Sequence, residues 1–254
     1  MPLIWESKIK ISLDNNCNSD NKKTDSVEDN EIKDPYQMTS LSIYEIKGSE
    51  NKLYCQNLSL LSKLFLDHKS IYFDVSPFNF YVLTENNSYG SHFVGYFSKE
   101  LSSLSDFNLA CIMVLPCFQK TGYGQLLISL SYYISKQLNK IGTPEVPLSD
   151  LGRLSYKSYW TSVLLEILIK YKCNISLKEL SELTYIKYED VVYTLNELGL
   201  IKYLKGQQVL QNINLKQLED FYRKKKEKKL SHVKFSQEYL KPDFKVSNTD
   251  YLNN

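Results

Sequence analysis

Spacing between apolar positions changes several times along the chain, and each change predicts an element. Residues 41–46 alternate, and 52–55 follow after a cluster of Gly48 and Asn51, which predicts two strands and a hairpin turn. Residues 57–68 are spaced as a helix, with Leu58, Leu61, Leu64 and Phe65 on one side and Asn57 placed to cap its start. Three further strands are expected at 71–75, 79–84 and 92–98, with a loop at 86–90 between the last two. The run 109–115 is short, apolar and bounded by Asn108 and Pro116, as a buried central strand would be. From 125 to 138 the period becomes helical, with Leu126, Leu127, Leu130, Tyr133, Ile134 and Leu138 on one stripe.

Beyond Gly152 helices dominate. Trp160, Val163, Leu164, Ile167, Leu168 and Tyr171 form a second stripe. Ser176 with Glu179 is a capping box opening a short helix, and 188–198 predicts a third helix stopped by Gly199. Residues 200–204 and 207–211 read as a small hairpin. Three helices followed by a hairpin is the winged helix-turn-helix order. Helix and turn two hold Lys178, Glu179, Glu182, Lys187, Glu189 and Asp190, a mixture that disfavours specific DNA recognition. Residues 214–229 close the folded region on a basic run, read as a solvated helix end or a contact for phosphates. The expected division is a mostly disordered segment at 1–38, a core at 39–152, a helical lobe at 153–229 and a tail at 230–254. The fold class is α+β.

Composition narrows the picture. Of 254 residues 43% are hydrophobic and 24% charged, which is ordinary for a globular protein, and the net charge of +2 is too small to point to nucleic acid. Between about 14 and 35 low hydrophobicity with interspersed charge predicts disorder. Five cysteines, odd in number and without a CxxC pair, favour a reducing compartment. The apolar runs are far shorter than the ~18 residues of a membrane span, so no membrane partner is expected. No secretory signal is seen at the N-terminus.

The chemistry gathers behind the run at 109–115. Gln119, Lys120, Thr121, Gly122, Tyr123 and Gly124 join that run to the helix beginning near 125. Strand, glycine turn and helix can cradle a phosphate, because glycine lets backbone come close and free N–H groups at a helix start face an anion. Q-x-x-G-x-G in this setting resembles the coenzyme A loop of the GNAT acetyltransferase superfamily. The longer pieces resemble one related family, the MYST lysine (histone) acetyltransferases: NLACI at 108–112, QKTGYG at 119–124, GTPEVPLSDLG at 142–152 and LSYKSYW at 154–160. The likeness extends over roughly 40–212 and includes VGYFSKE at 94–100.

The resemblance implies a GNAT-like acetyltransferase core with a winged-helix-like lobe. It implies acetyl-CoA as co-substrate, histone tails and chromatin-complex subunits as partners, and a place in the nucleus. Glu145 matches the family's general base and Cys111 its active-site cysteine. Ile112 and Val114 match positions whose backbone pairs with the pantetheine. Gln119, Lys120, Thr121, Gly122, Tyr123, Gly124 and Gln125 match the pyrophosphate loop, and Ser149 and Ser158 match coenzyme contacts. Lys69 matches a lysine that the family acetylates on itself. This chain departs from the pattern at Val114, Thr121 and Gln125. It also lacks, before the core, the cysteines and histidine of the family's zinc finger: Cys17 stands alone, so no structural zinc is expected. These departures leave a second reading, an acetyltransferase-fold scaffold of weak or no activity.

Overall fold

A computed structural model of the chain describes residues 1–10, 38–66, 73–204, 207–211, 215–228, 235–244 and 246. Five antiparallel strands make the main sheet. In chain order they are β1 (Leu3–Lys10), β2 (Met38–Lys47), β3 (Phe78–Asn87), β4 (Gly90–Glu100) and, after the short β5 (Phe107–Leu109), β6 (Cys111–Val114). The spatial order is β1-β2-β3-β4-β6. Between β2 and β3 lies α1 (Lys52–Lys63).

Alternation along β3 explains the layering. Phe80 and Val82 point to one face with Ile46, Tyr96, Cys111 and Met113, where Cys55 and Leu58 of α1 cover them. Tyr81 and Leu83 point to the other with Leu41, Ile43, Val94 and Phe97, and there they meet α2 (Tyr123–Gln137) and α3 (Asp150–Lys170). Leu126, Leu127 and Leu130 of α2 are wholly enclosed, each contributing about 1.5–3 kcal/mol through burial. Next come α4 (Leu177–Thr184), α5 (Tyr188–Glu197), the hairpin β8 (Ile201–Leu204) and β9 (Gln207–Leu210), and α6 (Leu215–Lys228). Ser176 and Glu179 do form the reciprocal capping box, and Gly199 takes φ 68° past α5. A two-residue strand, β7 (Thr143–Pro144), pairs in parallel with β5.

Several expectations are corrected. Residues 52–55 are helix, not strand, so Gly48 leads into α1 rather than round a hairpin. Asn51, not Asn57, occupies the N-cap position. The buried face of α1 is Cys55, Leu58, Ser59 and Ser62, whereas Leu64 and Phe65 are exposed. Residues 73–75 form no strand. The run at 109–115 is neither continuous nor central: it breaks at Ala110, and β6 forms the edge of the sheet. Residues 3–10, expected to belong to a disordered segment, are a strand whose Trp5 is fully buried. The tail packs on that strand: Trp5 Nε1 donates to Ser236 O at 3.0 Å, and Lys241 N donates to Ile4 O at 2.9 Å. Division at 152/153 falls inside α3, and one apolar cluster runs from the sheet through α2 and α3 to Leu180, Ile186, Val191 and Leu195 of the lobe. The disorder expected at 14–35, Cys17, and Lys69 all lie outside the described residues.

Candidate active site

The site is made by a strand that splits. β6 stays with β4, in the register Ser98↔Cys111 to Gly95↔Val114. β5 leaves it at Ala110 to join β7. Leu115 N donates to Val94 O at 2.9 Å. Antiparallel alternation then turns the backbone of Cys111 and Met113 toward β4 and that of Ile112 and Val114 outward. Among the described residues no strand pairs with this outer edge. The Val114 carbonyl does accept from Gln119 Nε2, at 3.1 Å.

At the split lies a cavity of about 490 Å³, lined by Ala110, Cys111, Ile112, Glu145, Leu148 and Ser149 among others. Thus four of the expected site residues meet in one space. Glu145 is held by its backbone, whose N–H donates to Leu109 O at 2.9 Å, one residue beyond the Pro144–Leu109 strand pairing. Glu145 is an exposed residue, as is its neighbour Val146. Ser149 caps α3, its Oγ accepting from Gly152 N at 3.1 Å.

Cys111 is 9% exposed. Its Sγ lies 3.8 Å from Tyr96 Oη, which lies 2.5 Å from Ser62 Oγ. Ser62 Oγ donates to Leu58 O at 3.1 Å. Burial first, and then the neighbouring Cys111, push the Tyr96 phenol well above its ordinary pKa, so it stays protonated. These hydroxyls were not anticipated: Ser62 and Tyr96 sit on faces whose polar atoms a search for apolar spacing passes over.

The loop at 119–125 lies apart from the cavity lining. Lys120 takes φ 64° and Gly122 φ 104°, and Gly122 opens α2 without a side-chain cap or an acidic residue in the first turn. Open N–H groups and the positive end of a 15-residue helix favour an anion there. A Cβ at Gly124 would meet nothing within 4 Å. The neighbouring side chains are engaged elsewhere: Thr121 Oγ1 donates to Phe118 O, Tyr123 Oη to Glu85 Oε1 and Gln125 Nε2 to Ser155 O. Ser158 is half-buried on α3 and lines no part of the cavity. Among the described residues no three His, Cys, Asp or Glu side chains gather as a metal site, and no helix is long and apolar enough to cross a membrane.

A split sheet edge beside a glycine turn and an open helix start defines the GNAT-like acetyltransferase class of α+β fold. The chain belongs to the MOZ/SAS family, whose model it matches over residues 30–240. It is 58% identical over 175 residues to "Histone acetyltransferase of the MYST family 2" of Arabidopsis thaliana, covering 69% of this chain and 39% of that protein. "Histone acetyltransferase MOF" of Drosophila melanogaster is 55% identical over 178 residues, covering 69% of this chain and 21% of that protein. "Histone acetyltransferase Tip60 homolog" of Caenorhabditis elegans is 53% identical over 180 residues, covering 69% of this chain and 39% of that protein. The chain therefore spans well under half the length of these relatives.

Proposed function

We propose that the protein is a lysine acetyltransferase that moves the acetyl group of acetyl-CoA to histone lysines in the nucleus. The observation that carries this reading is the meeting of Cys111 and Glu145 in one cavity beside the outer edge of β6, with which no strand pairs among the described residues. The names of the relatives support the histone substrate, and that substrate implies the nucleus. The outward backbone of Ile112 and Val114 would pair with the pantetheine arm. The open start of α2, with Gly122 and Gly124, would hold the pyrophosphate; Gln119, Lys120, Thr121, Tyr123 and Gln125 shape that turn. Ser149, at the cap of α3, and Ser158, within it, would offer further contacts.

Glu145 would serve as general base. A lysine amine has a pKa of about 10.4, so only ~0.04% is neutral at pH 7. Attack on the thioester needs the lone pair that this proton occupies. A positioned carboxylate takes the proton as the C–N bond forms, typically a ~10²–10⁴-fold contribution. The departing electron pair goes to the coenzyme's sulfur. Cys111 would line the acetyl position, its sulfur close to a protonated phenol. Incubation of the purified chain with radiolabelled acetyl-CoA and core histones tests the reading. Labelled histones are expected; a chain that binds coenzyme A and labels none would favour the scaffold reading instead.

A further inference from the structure

Glu145 projects from a segment only a few residues long, and the helical lobe grips that segment. Gly142 N donates to Tyr185 O at 3.0 Å, and Lys187 N donates to Gly142 O at 3.2 Å. Gly142 and Ile186 thereby form a parallel bridge. Tyr185 takes φ 58° to end α4, and Ile186 is fully buried. Residues 185–187 are the turn of the helix-turn-helix. In a DNA reader that turn leads into a recognition helix whose first residues meet bases. Here the turn is spent on the strand that leads to Glu145.

The first turn of α5 reinforces the grip. The Thr143 side chain faces the Asp190 carboxylate, and Thr143 stands two residues before Glu145 along the chain. One carboxylate oxygen, Oδ2, is buried without a hydrogen-bond partner among the described residues, as are Tyr156 Oη and Thr194 Oγ1. Asp190 is half-buried, and burying one oxygen of a carboxylate costs free energy that only compensating hydrogen bonds or charges offset.

We propose that the turn between α4 and α5, with Asp190, is the clamp that fixes the Glu145 segment, so that the lobe takes part in the reaction by positioning the base. This rests on the reading of Glu145 as base. Asp190 is then a positioning residue, touching no substrate. Misplacing a catalytic group by about 1 Å can cost ~10²-fold.

The test is a double-mutant cycle on the purified chain with acetyl-CoA and core histones, with coenzyme affinity by calorimetry. Asp190→Ala should lower turnover about ten-fold with coenzyme affinity unchanged, and Asp190→Asn, which keeps an acceptor for Thr143, should restore most of it. Added to Glu145→Gln, Asp190→Ala should cost less than about two-fold more, because the group it positions has already lost its function. If Asp190→Ala fails to fold, Thr143→Val enters the same cycle. Equal losses in both backgrounds, or wild-type turnover in the folded Asp190→Ala or Thr143→Val chain, would overturn the clamp alone. A Glu145→Gln chain near wild-type turnover would overturn the base assignment and the clamp with it.

Discussion

The two ends of β6 are built from different materials. At its start Cys111 is enclosed and joined through Tyr96 and Ser62 to the backbone of α1, and Glu145 is pinned across from it. At its far end the turn at 119–125 offers backbone, a left-handed glycine and an uncapped helix start, while its side chains bond elsewhere. One end depends on which side chains are present; the other depends on where main-chain groups can be approached. The departures expected within the site, Val114, Thr121 and Gln125, all fall at the backbone end. Under the proposed reading, a coenzyme site that works through main-chain groups would tolerate them.

That contrast can be broken from either side. The largest effect is expected at the side-chain end, where Glu145→Gln should cut histone acetylation at least ~10²-fold at pH 7. Coenzyme affinity, by calorimetry, should barely change. At the backbone end the informative position is Gly124. Gly122 holds a φ that strains any other residue, whereas a side chain at Gly124 fits the free protein. Gly124→Val should therefore leave the melting temperature nearly unchanged yet weaken coenzyme A binding about ten-fold, or ~1.4 kcal/mol. An unaltered affinity would remove the phosphate from this turn.

Away from both ends, Lys99 gives a pH effect. Burial first, then Lys140, lower its pKa to about 8, and its Nζ donates to Phe107 O at 3.4 Å. The folded chain therefore binds fewer protons here than the unfolded one between pH 8 and about 10.4. Its contribution to stability should rise across that window and be flat below it. Denaturant titrations from pH 7 to 10 should show that rise in the wild type relative to Lys99→Met; parallel curves would contradict it. The smallest effect is expected at Thr121, whose exposed hydroxyl only closes its own turn. Thr121→Ala should change coenzyme affinity less than about three-fold.

Legibility in the sequence followed the same physics. Helices α2, α3, α4 and α5 and the β8–β9 hairpin were readable, because their apolar periodicity and stop signals are local. Glu145, Cys111 and the glycine turn were singled out by motifs, and the fold brings Glu145 and Cys111 into one cavity. Strand β1 was not, because Trp5 is buried by β2 and by a tail more than 230 residues away. The start of α1 was misread because two of its four buried residues, Ser59 and Ser62, are polar. The break at Ala110 is invisible in a run of apolar residues, since β5 and β6 differ only in their partners.

The central claim is that proton removal by Glu145 matters more to turnover than the thiol of Cys111. The most direct measurement compares turnover of Glu145→Gln and Cys111→Ala, side by side, at pH 7 and pH 9 with saturating acetyl-CoA. The account predicts that Glu145→Gln is the more damaged at pH 7 and recovers in part at pH 9, where about a hundred times more of the amine is neutral. It predicts that Cys111→Ala loses less at both. A Glu145→Gln enzyme near wild type at pH 7 beside an inactive but folded Cys111→Ala would contradict it and exchange the two roles.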